Sequence, residues 1–117
     1  MTAVPKIFSL LKDVELTIPF PFPEKDKLEG EPNGRVAFLR NDPSGNPVAG
    51  YFEAEPAKIA FEWPANETVY VIEGHVTVAI DGGDSVDLGP GDSASFTKGQ
   101  RGTWHFKTRF KEFFVYS

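Results

Sequence analysis

A chain of 117 residues with 40% hydrophobic and 25% charged residues is sized for one compact domain with a core that needs no staples. The formal net charge of -5 gives no electrostatic footprint for nucleic acid or an anionic membrane, so neither partner is expected, and the absence of cysteine excludes disulfides and thiolate metal sites. An aromatic share of 14%, with 11 Phe, beside 10 Pro and 11 Gly, suits short strands better than helices.

The first segment, MTAVPKIFSLLKDVE, has a run of only five residues, Ile7 to Leu11, between Lys6 and Lys12. That is too short for a signal-peptide core or a membrane span, so the expectation is a soluble, cytoplasmic protein. PKIFSLLKDV is the one helical candidate. The next segment, IPFPFPEKDKLEGEPNG, places Pro21, Pro23 and Pro32 among charges and can hold no regular helix. Residues 1–33 therefore read as an N-terminal arm, irregular or an edge strand, and residues 34–117 as the domain itself.

From Arg35 onward short β-type runs alternate with turn signals: RVAFLR, VAGYFEAE, AKIAFEW, ETVYVIEG and HVTVAI, broken at NDPSGNP and PAN. DGGD (Asp81 to Asp84) joins HVTVAI to SVDL as a hairpin, LGPGD makes a second tight turn, SASFT is a short strand, and TWHFKTRFKEFFVYS supplies the closing strands. No segment keeps apolar spacing of three and four. Short strands at intervals of about ten residues predict an all-β antiparallel sandwich or barrel.

Two patterns in the chain from Gly50 to Tyr116 resemble the cupin superfamily. Glu67 and Gly74 keep the E-x6-G spacing of the first cupin motif, while Phe61 and Trp63 stand at its two histidine positions. In the second motif Gly91 and Gly99 keep register, with Thr97 at the proline and Gly102 at the histidine. A closer resemblance is to ureidoglycine-aminohydrolase-like and ethanolamine-utilisation-type cupin domains. It is carried by Gly50-Tyr51-Phe52-Glu53, the run Glu67 to Gly74, Gly89-Pro90-Gly91-Asp92, Gly102-Thr103-Trp104 and Lys111. The resemblance implies an antiparallel jelly-roll β-barrel, a homodimer, and small nitrogenous or carboxylate metabolites. With three of four ligand positions replaced, no metal and no cofactor are expected, and manganese-dependent aminohydrolase chemistry is not carried over.

If the motif positions point into the barrel, strand alternation fixes their neighbours. Phe61 and Trp63 then face inward with Glu62 outside, Glu67 faces inward with Val69 and Val71, and Trp104 and Phe106 face inward with Thr103, His105 and Lys107 outside. His75 and His105 read as solvated or interface residues. Glu67 is then a carboxylate among aromatics, which calls for a cationic partner or a raised pKa. Arg101 and Lys111 are the candidate partners, and the resemblance favours Lys111. Glu67 either closes the barrel through a structural bond or handles a ligand; the aromatics either fill the core or stack on a small apolar or cationic molecule. In the last strand Phe110, Phe114 and Tyr116 alternate against Phe113 and Val115, so one face needs covering, by a second subunit or by the arm.

Three functions fit these residues. The leading one is a metal-free cupin that binds a small metabolite, with Phe61, Trp63, Glu67, Arg101, Trp104, Phe106 and Lys111 as the candidate ligand-binding residues. The second is an enzyme of hydrolase, lyase or isomerase type using Glu67 as catalytic acid or base. The third is an accessory protein whose barrel is simply filled.

Overall fold

The computed structural model describes residues 16–117. The helical candidate in PKIFSLLKDV lies outside the described residues. The described chain forms eleven strands: β1 (Ile18–Pro19), β2 (Lys27–Gly30), β3 (Arg35–Asn41), β4 (Pro47–Ala54), β5 (Ala57–Glu62), β6 (Glu67–Glu73), β7 (Val76–Ile80), β8 (Ser85–Leu88), β9 (Ser93–Phe96), β10 (Arg101–Phe106) and β11 (Phe110–Tyr116). A single 3-10 turn spans Glu24–Asp26. The strands form two antiparallel sheets, in the orders β1-β3-β4-β11-β6-β9 and β2-β5-β10-β7-β8, which face each other as a jelly roll.

Alternation explains why these runs make these sheets. In β6 Glu67, Val69 and Val71 are buried while Thr68 and Tyr70 are exposed, and in β10 Gly102, Trp104 and Phe106 are buried between outward neighbours. The inward rows of both sheets merge in one core that includes Ile59, Val78, Phe106 and Phe110. Each fully buried Val, Ile or Phe contributes about 1.5–3 kcal/mol by leaving water. A one-residue slip of any strand would send its whole apolar row outward, so the pattern also holds register.

The turns close as their residues require. Across DGGD, Val76 lies opposite Leu88 and Val78 opposite Val86, and the Ile80 N–H donates to the Asp84 carbonyl at 2.9 Å. LGPGD carries the chain from one sheet to the other and is pinned to β6, where the Val71 N–H donates to the Asp92 carbonyl and the Gly91 N–H to the Val71 carbonyl, each at 2.9 Å. Gly74 ends β6 with φ of +85°, and a Cβ there would overlap the Arg109 carbonyl oxygen. A left-handed residue pressed against another strand must be glycine.

The arm contributes regular structure. β1 pairs with β3, Ile18 opposite Val36, and β2 pairs with β5, Lys27 opposite Ile59. The arm thus supplies an edge strand to each sheet. Between the two strands, Phe20 and Phe22 pack edge-on against Phe52 of β4, with ring centroids 5.8 and 6.0 Å away. No helix among the described residues is long and apolar enough to cross a membrane.

Candidate functional site

A cavity of about 50 Å³ opens between the sheets at the arm side. Its walls are apolar and mostly aromatic: Phe61 of β5 and Trp104 and Phe106 of β10 from one sheet, Phe52 and Phe114 from the other, and Phe20 and Phe22 from the arm, with Val36, Pro47 and Ile59 beside them. Three polar side chains reach it, Glu67 of β6 and Glu112 and Tyr116 of β11. Glu67 lies opposite Tyr116 in the ladder, whereas Glu112 lies opposite Val71. Glu112 is four residues from Tyr116, so the two carboxyl-bearing residues enter the pocket roughly 13 Å apart at the backbone. Phe114 stands between them on the same face.

Both carboxyls are removed from water, Glu67 at 5% and Glu112 at 3% relative exposure. Glu67 accepts a hydrogen bond from the Trp63 indole N–H at 3.1 Å. Burial pushes its pKa up to about 7, and the Trp63 bond only partly opposes that rise. Glu112 is raised well above the carboxylate range, first by burial and then by the charge of Glu67. Its Oε1 and the Nε1 of Trp104 are buried without a hydrogen-bond partner. The Tyr116 hydroxyl is raised as well, by burial and then by the two carboxylates. The pocket is therefore a largely apolar box that favours the neutral form of its acids, Glu112 strongly and Glu67 up to about pH 7.

Among the residues singled out from sequence, Phe61, Glu67, Trp104 and Phe106 line the cavity and three others do not. Trp63 is 1% exposed, stacked on Phe96 at 4.7 Å, and stands behind Glu67 rather than on the cavity wall. Its indole packs toward β9, just before the chain bends at Pro64. Arg101 is the outward first residue of β10 and meets Glu62, its cross-strand neighbour, at 3.4 Å with both side chains well exposed. Lys111 faces outward opposite Glu53, at 3.8 Å from its carboxylate, which Arg109 also approaches at 3.4 Å. Neither cation reaches Glu67. His75 is exposed and His105 is half-buried on the outer face of β10.

Sequence reasoning missed Glu112, Tyr116 as a polar group, and the arm phenylalanines. Glu112 was within reach: it shares the parity of Phe110, Phe114 and Tyr116, the face that fills the barrel. No comparable signal existed for Phe20 and Phe22, because the Pro-rich arm has no period from which to fix an inward direction.

The donor set does not fit a cupin metal. Among the described residues no group of three or more His, Cys, Asp or Glu side chains gathers. At the motif's last histidine position, a Cβ on Gly102 would overlap the Ala79 carbonyl oxygen of β7, so no side chain of any kind is accommodated there. Two monodentate carboxyls among phenyl rings do not make a first-row metal site.

Comparisons with known proteins agree with this architecture. A family model described as an EutQ-like cupin domain matches residues 41–114. The EutQ protein of Clostridium difficile is 20% identical, with a TM-score of 0.68 over 92% of this chain and 82% of that one. A protein of unknown function from Pseudomonas syringae pv. tomato is 20% identical, with a TM-score of 0.78 over 89% of this chain. This chain spans 45% of the Pseudomonas protein's length. An ectoine synthase from P. lautus, also 20% identical, has a TM-score of 0.59 over 79% of this chain and 68% of its own. At these identities the structural likeness carries the fold alone. Among curated proteins none matches this sequence.

Proposed function

Because the chain belongs to the EutQ-like cupin family, we propose that it binds a small metabolite in the aromatic pocket between Glu67 and Glu112. One observation carries this reading: two carboxyls face a cavity of about 50 Å³ inside an otherwise apolar box. A barrel that is merely filled would put carbon at both positions, because burying a carboxyl with one indole N–H as partner, as at Glu67, or with an oxygen left unpaired, as at Glu112, costs stability. Native mass spectrometry of the untagged protein tests the reading, together with the indole N–H resonance of Trp104 during titration with small amines, alcohols and acids. A retained organic mass or a saturable shift of that resonance is expected. A bare polypeptide mass and an unmoved resonance throughout would end it.

Catalysis is the second reading, supported by the pKa of Glu67 near 7, where a carboxyl both gives and takes protons at neutral pH. On this reading Glu67→Gln leaves the substrate Kd within about threefold while kcat falls on the order of 10²–10⁴-fold. Equal loss of binding and turnover would place Glu67 in binding alone.

Assembly is a separate proposal. Tyr51, Phe113 and Tyr70 are cross-strand neighbours on β4, β11 and β6, and they form an aromatic row across the outer face of the six-stranded sheet. Tyr70 is 48% exposed. A second copy of the chain docked on this row would make a two-fold dimer. Sedimentation should then give twice the chain mass for the wild type and one chain mass for Phe113→Glu; a wild type that sediments as a monomer at every concentration overturns it.

A further inference from the structure

Building on the reading of this pocket as a ligand site, we infer that its ligand is a small organic cation, an ammonium or amidinium held between Glu67 and Glu112 against the aromatic walls. Charge is the first argument. Glu67, Glu112 and Tyr116 are the titratable side chains lining the cavity, and each is neutral or negative in every protonation state. Arg101 pairs with Glu62, and both Arg109 and Lys111 with Glu53, on the outer faces of the sheets. An anionic ligand would find no counter-charge and would be repelled as soon as either carboxyl ionised.

The second argument is satisfaction of buried polar atoms. Glu112 Oε1 and the Trp104 indole N–H are buried with no partner, and Glu67 has one bond, from the Trp63 indole; of the two unpartnered atoms, the acceptor on the acid is the one a cation satisfies. An apolar ligand would leave Glu112 unsatisfied and gain only contact area. A cation with N–H donors gives Glu112 the charge-assisted bond it lacks and adds a second to Glu67. The walls suit the same guest, because aromatic rings such as Trp104, Phe61 and Phe114, which line the cavity, attract positive charge wherever a ring face is offered.

Size is the third. A cavity of about 50 Å³ holds roughly four water-sized groups, so the guest has few non-hydrogen atoms. Because Glu67 and Glu112 line the same small cavity, a cation seated in it lies in the field of both acids. Binding must then draw a proton from at least one of them, which makes the affinity rise with pH across the range where Glu67 gives up its proton.

Three probes of four non-hydrogen atoms separate charge from shape: isopropylammonium, 2-propanol and acetate, each titrated at pH 8 while the Trp104 indole N–H resonance is followed. Isopropylammonium is expected to bind at least tenfold tighter than 2-propanol, and acetate to leave the resonance unmoved. Glu112→Gln, which keeps the side-chain volume and removes the buried acid, should bring isopropylammonium to within about threefold of 2-propanol. Calorimetry in two buffers of different ionisation enthalpy should report proton release on isopropylammonium binding at pH 6. If 2-propanol or acetate binds as well as the cation, the pocket stands as a ligand site and the inference about its ligand is overturned. If the cation binds best and Glu112→Gln changes nothing, its placement between the two acids is overturned. If no probe moves the resonance, both the inference and the pocket reading fall.

Discussion

Burial of Glu67 and Glu112 costs stability in a pH-dependent way. In the unfolded chain both titrate near 4.5; in the folded protein Glu67 holds its proton to about 7 and Glu112 to well above the usual range. Below pH 4.5 both states are protonated and the pair costs nothing. As pH rises past that value the unfolded chain releases protons that the folded one keeps, so the unfolded state gains and folding weakens. For Glu67 the loss is about 3 kcal/mol once its folded pKa is passed. The groups facing it are the Trp63 indole N–H beyond β5, and Glu112 and Tyr116 from β11. Urea unfolding should show the wild type less stable at pH 8 than at pH 5, and Glu67→Gln/Glu112→Gln nearly flat between them; a wild type equally stable at both would contradict the burial argument. Glu67 was legible as a carboxyl in an apolar wall because the E-x6-G spacing marks it. Its surroundings were less so, since Lys111 and Arg101 are chemically suitable partners whose side chains the strand parity sends outward. The partner that matters is an acid on the inward row of β11.

At the scale of elements, the turns set what each strand can offer the pocket. Gly74 lets β6 stop with its inward row intact and lets β11 begin against it, where a bulge between Lys111 and Glu112 brings Glu112 opposite Val71. Gly74→Ala must adopt a left-handed backbone and push against the Arg109 carbonyl. The expected cost is about 2–3 kcal/mol, read as a fall in Tm of roughly 10 °C; an unchanged Tm would mean that β11 yields freely there. Strands β3 to β11 were readable in the sequence because their alternation repeats over four or more residues between Gly, Pro and Asn punctuation. β1 and β2 were not. Two residues ending in Pro19, and KLEG with its single apolar side chain, show no alternation, and their partners Arg35, Val36 and Ala57 to Ile59 lie too far along the chain for any local signal. Their strand character comes from free edges of the two sheets, a property of the assembled fold.

The arm joins the two sheets and the pocket into one unit. It buries Leu16 at 5% exposure, adds an edge to each sheet, and sets the Pro32 carbonyl on the Glu55 N–H at 2.7 Å. Burying Leu16 and covering parts of Phe20 and Phe22 contributes roughly 5 kcal/mol, which is comparable to the whole stability of an ordinary domain. Arm and barrel therefore should not unfold separately. Hydrogen exchange is expected to protect β2 and β5 to the same degree, with a single thermal transition for the intact chain and loss of cooperative folding in a variant beginning at Gly34. Fast exchange of residues 24–34 beside a protected β5 would instead make the arm a lid over a self-sufficient barrel. The distinction bears on binding: Phe20 and Phe22 form part of the cavity wall, so a cooperative arm fixes the pocket's small volume before any ligand arrives. Selection by size then comes from the folded state itself, and Phe20→Ala/Phe22→Ala should relax it, admitting larger amines while reducing affinity for the smallest ones.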